Sequence, residues 1–348
     1  MEITLSMFDY TNFAFAYGKP LAKGSIKSAH DDFIVDEILG FEPGGEGEHL
    51  YLFIEKRGLN TEELVKQLAL QVNCSIKDIS YAGIKDRQAV TRQWLSIHCP
   101  GKNIPDAGSW AGSGWKVLFS KRHLKKLKIG TLSANAFQLV LRDIEQGTDE
   151  IEHRLLQIKQ YGVPNYFGAQ RFGYDGNNLV KAAQLLFDGV KVKNRFLRGI
   201  YYSAARSYLF NLMLSERIRQ HSWNKALHGD VMQLAGTNSL FALEILDDLI
   251  TERVSSFDIS PAAPLWGLGA ELSSGEALGV QKTALKDYQK WCEGLELHKL
   301  ERSWRALILQ VNELAWEWKE GNLVLSFQLA AGSYATSVVR ELMNLSSK

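Results

Sequence analysis

Leu323-Val324-Leu325-Ser326-Phe327-Gln328-Leu329 alternates large apolar side chains with Val324, Ser326 and Gln328, the period-two pattern of a strand. Its position decides the fold. Strand signatures also stand near the other end of the chain, at Phe33-Ile34-Val35-Asp36-Glu37 and Leu50-Tyr51-Leu52-Phe53-Ile54. Between the two ends the texture is helical, over 178–188, 203–220 and 281–295. Strand-rich ends around a helix-rich middle predict one domain built from both termini and a second inserted into it. The expectation is an α+β protein. A mixed, largely antiparallel central sheet with flanking helices takes residues 1–160 and 306–348, and an inserted α/β domain takes 161–305.

Smaller signals fit this frame. Glu42-Pro43-Gly44-Gly45-Glu46-Gly47-Glu48-His49 joins the first two strands and lacks the Gly-Lys-Ser/Thr of a phosphate loop, so it reads as a hairpin connection. Asn60-Thr61-Glu62-Glu63 opens a helix with Leu64, Leu68 and Leu70 as its apolar face. A strand at Phe137–Leu141, entered through Ser133–Ala136, precedes a helix that starts at Thr148-Asp149-Glu150, carries Ile151, Leu155 and Ile158, and ends at Gly162-Val163-Pro164. Gly229–Leu234 and Pro261–Gly267 read as turn-rich, and a final helix covers 337–343.

The chain has 348 residues, 45% apolar and 23% charged, with a net charge of +1. That composition is ordinary for a globular protein of two domains. Cys74, Cys99 and Cys292 form no C-x-x-C pair, so neither a disulfide framework nor a zinc site is expected. Residues 1–10 show no basic region followed by an apolar run, and no stretch approaches about 18 apolar residues, so the expectation is a soluble, cytoplasmic protein with no membrane association.

Chemistry concentrates at residues 81–98. Lys85, Asp86 and Arg87 stand in a row between the small residues Ala82 and Gly83 and a strand-like exit over Gln93–His98. A carboxylate flanked by cations is favoured in its ionised form, and an ionised carboxylate on a loop held by a rigid scaffold is what a nucleophile or general base needs. A charged, solvated connector is the alternative reading of these residues alone. The densest basic run, Lys121-Arg122-His123-Leu124-Lys125-Lys126-Leu127-Lys128, is either a solvated face or a stripe that contacts phosphates.

Five segments carry a resemblance. They are Ala82–Asp86, Asn135-Ala136-Phe137, Pro164–Gly173 (Pro-Asn-Tyr-Phe-Gly-Ala-Gln-Arg-Phe-Gly), Ser203–Asn211 and Gly332–Glu341. Taken together and in this order, they resemble the TruD family of tRNA pseudouridine synthases over nearly the full chain. The resemblance implies a pseudouridine synthase fold and the isomerisation of a uridine in tRNA, typically at position 13. In that reaction the glycosidic C–N bond breaks, the uracil turns, and C5 joins C1′. It requires neither redox change nor hydrolysis, so no cofactor and no metal is expected.

The resemblance also implies site residues. The family's catalytic aspartate falls on Asp86, which attacks either C1′ of the sugar or C6 of the base. The Asn-x-Phe pattern falls on Asn135, as a hydrogen-bonding residue, and Phe137, as the ring that stacks on the target uracil; the bare sequence reading of Phe137 is a core residue. Ala134 stands where the family often has Gly, which is costly if that site needs a positive φ. By analogy with other pseudouridine synthases, Arg340 is the expected bidentate partner of Asp86. Lys85 then faces the RNA backbone or tunes the field, because neighbours in an extended segment point to opposite sides.

Loop 165–173 and the region of Arg206 are expected to be RNA-shaping and structural, while Asp175, Asp230 and Glu48 are expected to be structural carboxylates. The partner is tRNA, and nothing suggests more than a monomer. Two rival readings are a metal-dependent RNA hydrolase, disfavoured because no carboxylate or His pair has ligand spacing near Asp86, and a non-catalytic RNA-binding or RNA-folding protein.

Overall fold

The computed structural model describes residues 8–101 and 107–345, so the expectation for the first seven residues lies outside the described residues. In chain order the principal strands are β1 (Phe33–Leu39), β2 (His49–Arg57), β3 (Ile79–Tyr81), β4 (Val90–His98), β5 (Trp115–His123), β6 (Leu132–Leu141), β7 (Val231–Leu234), β8 (Leu240–Ala242), β9 (Ile259–Leu265), β10 (Ser303–Ala306), β11 (Asn312–Lys319) and β12 (Asn322–Ala330). The helices are α1 (Thr61–Gln71), α2 (Thr148–Tyr161), α3 (Asn177–Phe187), α4 (Arg195–Arg219), α5 (Asp248–Ser255), α6 (Gly275–Leu285), α7 (Gln289–Leu297) and α8 (Ala335–Leu342). Among the described residues no helix is long and apolar enough to cross a membrane.

The chain forms two compact units. One is built from Leu21–Asp149 and Val311–Gly332, with the chain from Met343 onward. Its sheet runs β11-β12-β6-β1-β4-β2-β5, extended at one edge by Ala111–Gly112 and joined by β3 on β4. The pairing of β1 with β4 is parallel and the other pairings in this sheet are antiparallel. The mixed, largely antiparallel sheet is therefore as expected, and the strand at 323–329 pairs with β6 near its middle, Phe327 opposite Phe137. Alternation sets the buried face: Phe33, Val35 and Glu37 of β1 are buried, as are Leu50, Leu52, Ile54 and Lys56 of β2. α1 opens where expected, with the Asn60 side chain accepting from the Glu63 N–H at 2.8 Å. Leu64 and Leu68 are buried, but Leu70 is 84% exposed, because it sits off the stripe that these two define.

The other unit comprises Glu150–Gln310, Ser333–Leu342 and the described residues before Leu21. It contains the expected insertion and also takes in most of α2, all of α8 and the N-terminal segment, so its bounds are wider than 161–305. Its four-stranded sheet, β8-β7-β9-β10, is wholly antiparallel. α2 buries Ile151, Leu155 and Ile158 as predicted, and Gly162 beyond it adopts φ +73°.

Three expectations differ here. Gly229–Leu234 and Pro261–Gly267 contribute the paired strands β7 and β9; Pro261 and Pro264 each forfeit one donor, and pairing on both sides of β9 outweighs that loss. α4 begins at Arg195 rather than 203, because Asn194 caps the Phe196 and Leu197 N–H groups. The single stretch 281–295 is two helices, separated at Lys286–Tyr288, where the Tyr288 hydroxyl lies 3.0 Å from that of Tyr208.

Candidate active site

Asp86 lies in the loop between β3 and β4, the feature singled out in the sequence. Its carboxylate is held on two sides. Oδ2 forms an ion pair with the Lys27 ammonium, and Oδ1 accepts from the Gln88 N–H at 3.0 Å. The backbone carbonyl of Asp86 accepts from Lys56 Nζ at 2.9 Å. Pairing with an ammonium favours the charged carboxylate, and the side chain remains about a third exposed, so it is reachable from solvent.

Lys27 thus supplies a cation on Asp86, a place for which the sequence reading named Arg340. Arg340 sits in the other unit and donates to Glu341 Oε1 at 2.6 Å and to the carbonyls of Phe13 (2.8 Å) and Ala14 (3.2 Å). Its guanidinium lies over the rings of Phe15 and Tyr166. Three oxygen acceptors and two aromatic faces surround this planar fork.

Lys85 turns the other way along its loop, as alternation requires. Its ammonium lies 2.9 Å from Glu37 Oε1 and donates to Asn135 Oδ1 at 2.7 Å. Glu37 and Asn135 are direct cross-strand partners of β1 and β6. The other Glu37 oxygen accepts from the Trp94 N–H at 2.7 Å, and the carboxyl is pushed above its usual range by burial, against the opposing pull of Lys85 and that N–H. The Lys85 N–H donates to Thr61 Oγ1 at 3.0 Å, so the N-terminus of α1 also fixes the loop.

Asn135 and Phe137 project from the same face of β6, two residues apart. Phe137 is 8% exposed, stacks on Phe327 with centroids 5.4 Å apart, and meets the edge of Phe33 at 6.2 Å. Lys27 Nζ lies 4.3 Å above the Phe33 ring. One face of the sheet thus carries Phe33, Glu37, Asn135, Phe137 and Phe327, with Lys85 and Lys27 linking it to the loop of Asp86. Ala134 is extended and paired with Ala330, so the departure from Gly carries no backbone cost.

Lys27 and Lys56 were not among the sequence candidates. Lys27 had no signal, being a lone lysine in a polar connection. Lys56 had one: it is a charge in phase with Leu50, Leu52 and Ile54. The ammonium is fully buried, donates to the carbonyls of Leu59 (2.6 Å) and Asp86, and is pushed down to about 8, mainly by burial.

Other expectations resolve simply. The Gly44–Gly47 connection docks on the basic run: the Gly45 N–H donates to the Arg122 carbonyl, and a Cβ on Gly47 (φ +108°) would lie 2.6 Å from the His123 carbonyl oxygen. Lys125, Lys126 and Lys128 are exposed while Leu127 is buried beneath them. Arg206 staples structure, donating to the Leu265 and Glu301 carbonyls and to Ser303 Oγ. Asp230 forms a buried bidentate pair with Arg217, both contacts 3.0 Å. Among the described residues no group of three His, Cys, Asp or Glu could hold a metal ion.

The model of the family described as tRNA pseudouridine synthase D (TruD) matches residues 11–188 and 177–342. Relatives include tRNA pseudouridine synthase D of Legionella pneumophila (strain Corby), 49% identical over 94% of this chain and 97% of the relative. That of Hydrogenovibrio crunogenus is 44% identical over 96% and 97%. A crystal structure of a tRNA pseudouridine synthase D from Methanosarcina mazei shares the fold, with TM-score 0.72 and 24% identity over 95% of each chain. Fold and matches together define a class, the RNA-modifying isomerases that make pseudouridine. Within it, the chain belongs to the tRNA pseudouridine synthase D family.

Proposed function

We propose that Asp86 is the nucleophile that converts a uridine of tRNA to pseudouridine, at position 13 by the resemblance, and that Lys27 is the cation that keeps it ionised. The observation that carries this is the ion pair of Lys27 with Asp86, set on a loop tied down by Lys56, Lys85 and Thr61. Attack by the carboxylate on C1′ or C6 lets the N1–C1′ bond break. The uracil turns, C5 bonds to C1′, the bond to the Asp86 carboxylate breaks so that the carboxylate is returned, and the C5 proton leaves to solvent. In this reading Phe137, backed by Phe327, stacks on the uracil, and Asn135, held by Lys85, positions the loop or the nucleotide. Arg340 acts by holding the segment at Phe13–Phe15. Extracting the base costs a few kcal/mol of unstacking, which phosphate contacts from Lys125, Lys126 and Lys128 offset. The enzyme works as a cytoplasmic monomer and takes no cofactor or metal, since the isomerisation needs neither electrons nor water.

The test uses unmodified tRNA tritiated at uracil C5, in chelator, with wild type and Asp86→Asn. Release of tritium by wild type alone, with tRNA still bound by the variant, is the expected result. Tight binding without release by wild type leaves an RNA-binding or RNA-folding protein, and cleaved tRNA that is lost in chelator returns the hydrolase.

A further inference from the structure

The helix-bearing unit holds a second feature that the catalytic reading leaves unused. Between Asp188 and Glu216 the chain has no acidic residue, but it has Lys191, Lys193, Arg195, Arg198 and Arg206. The start of α4 lies in this stretch and opens on a cavity of about 600 Å³ lined by Arg171, Arg195, Phe196, Gly199, Ile200 and Ser203. Phe196 is 67% exposed and lines this cavity together with Arg171 and Arg195. Arg195 takes part in no ion pair among the described residues. Arg171 is held in place by Tyr334 (2.6 Å to the hydroxyl) and Ser203 (3.2 Å), yet its Nε is buried without a hydrogen-bond partner.

Gly199 adds an independent sign. Glycine inside a helix lowers its stability relative to alanine. Here a Cβ would meet nothing within 4 Å, so the protein's own packing leaves the helix backbone open in the lining of the cavity. A ligand can approach the backbone closely at such a point.

We propose that this cavity is a binding subsite for one unstacked nucleotide of the RNA substrate, its phosphate on Arg195 and Arg171 and its base against Phe196. The pairing of cations with an exposed aromatic is the combination that single-stranded RNA selects: phosphate neutralisation with a stacking platform. A fully paired duplex presents phosphates but no free base face, so it engages the arginines without Phe196. The inference rests on the tRNA reading above for its ligand, and its test is read separately from turnover.

The experiment measures filter binding of an unmodified tRNA transcript and of a fully paired RNA duplex across a salt series, beside tritium release. The proteins are wild type, Phe196→Ala, Arg195→Gln and Gly199→Leu. Loss of one base stack predicts roughly tenfold weaker tRNA binding for Phe196→Ala with duplex binding unchanged. Arg195→Gln weakens both ligands and lowers the salt slope by about one. Gly199→Leu projects a side chain into the cavity, melts no lower than wild type, and loses tRNA affinity. That combination separates a binding role from a folding defect. Unchanged tRNA affinity in Gly199→Leu and Phe196→Ala overturns the subsite even if wild type releases tritium. Equal losses for tRNA and duplex in Phe196→Ala overturn the base-stacking assignment. Weaker tRNA binding by the variants supports the subsite whether or not wild type turns over.

Discussion

Lys27 reaches Asp86 from 59 residues away and does so from a left-handed backbone conformation, φ +60°. A non-glycine residue held there costs about 1–3 kcal/mol and persists only where the surroundings over-determine it. The ion pair and the contact of its ammonium with the Phe33 ring supply that determination. Removing the ammonium at constant length should therefore act on chemistry first. Lys27→Met is expected to lower kcat by about 10²-fold while KM for tRNA stays within a few-fold, and Lys27→Arg should recover part of the loss. Single-turnover tritium release checks both; near-normal turnover of Lys27→Met removes Lys27 from the mechanism.

Phe137 can be a core residue, a stacking platform, or both, since Phe327 covers it. Phe137→Leu retains apolar volume and loses the aromatic plane. Stacking on uracil contributes about 1–3 kcal/mol, so kcat/KM should fall roughly 5- to 150-fold. Thermal melting should shift by no more than a few degrees. A melting shift that accounts for the whole loss of activity would leave Phe137 as packing only.

Lys56 makes a pH prediction whose sign can be worked through. Burial, helped by Lys85 and opposed by Asp86 and Glu37, lowers it from 10.5 to about 8 in the folded chain. Between pH 8 and 10.5 the unfolded chain binds the extra proton, so the Lys56 contribution to stability rises with pH across that window. Activity moves the other way, because the charged donor that anchors the Asp86 carbonyl is lost. An alkaline limb near pH 8 in kcat is expected for wild type and should be absent in Lys56→Met, which starts lower. The same limb persisting in Lys56→Met assigns it to another group.

Arg340 and Glu341 form a pair in which the carboxylate is fully buried and also accepts the Ala16 N–H at 2.9 Å. Breaking such a pair by removing one partner typically costs about 3–5 kcal/mol, because a buried charge is left alone. Arg340→Ala should therefore lower the melting temperature by several degrees, and the double variant Arg340→Met with Glu341→Gln should recover most of it. If Arg340→Ala instead melts like wild type and loses turnover, a direct catalytic role for Arg340 stands.

The sequence was most legible where local pattern and final environment agree. Alternation at Phe33–Glu37, Leu50–Ile54 and Leu323–Leu329 reports burial of one sheet face, and Asn60 and Gly162 report helix ends. Prolines misled at β9, because a strand paired on both sides tolerates two missing donors. Asp86 was visible as an ionisable cluster on a loop, and Glu37 and Lys56 could have been found as charges standing in the buried phase of their strands.

By itself, then, the chain determined its family and its α+β class, because both are written in contiguous residues. The tertiary structure alone decided the partners: Lys27 on Asp86, Lys56 beneath its carbonyl, and Lys85 between Glu37 and Asn135. Those pairs join residues 30–59 positions apart, through sheet register and one strained turn. Side-chain charge finds a partner only after register brings it within a few ångströms, and no local pattern encodes that distance.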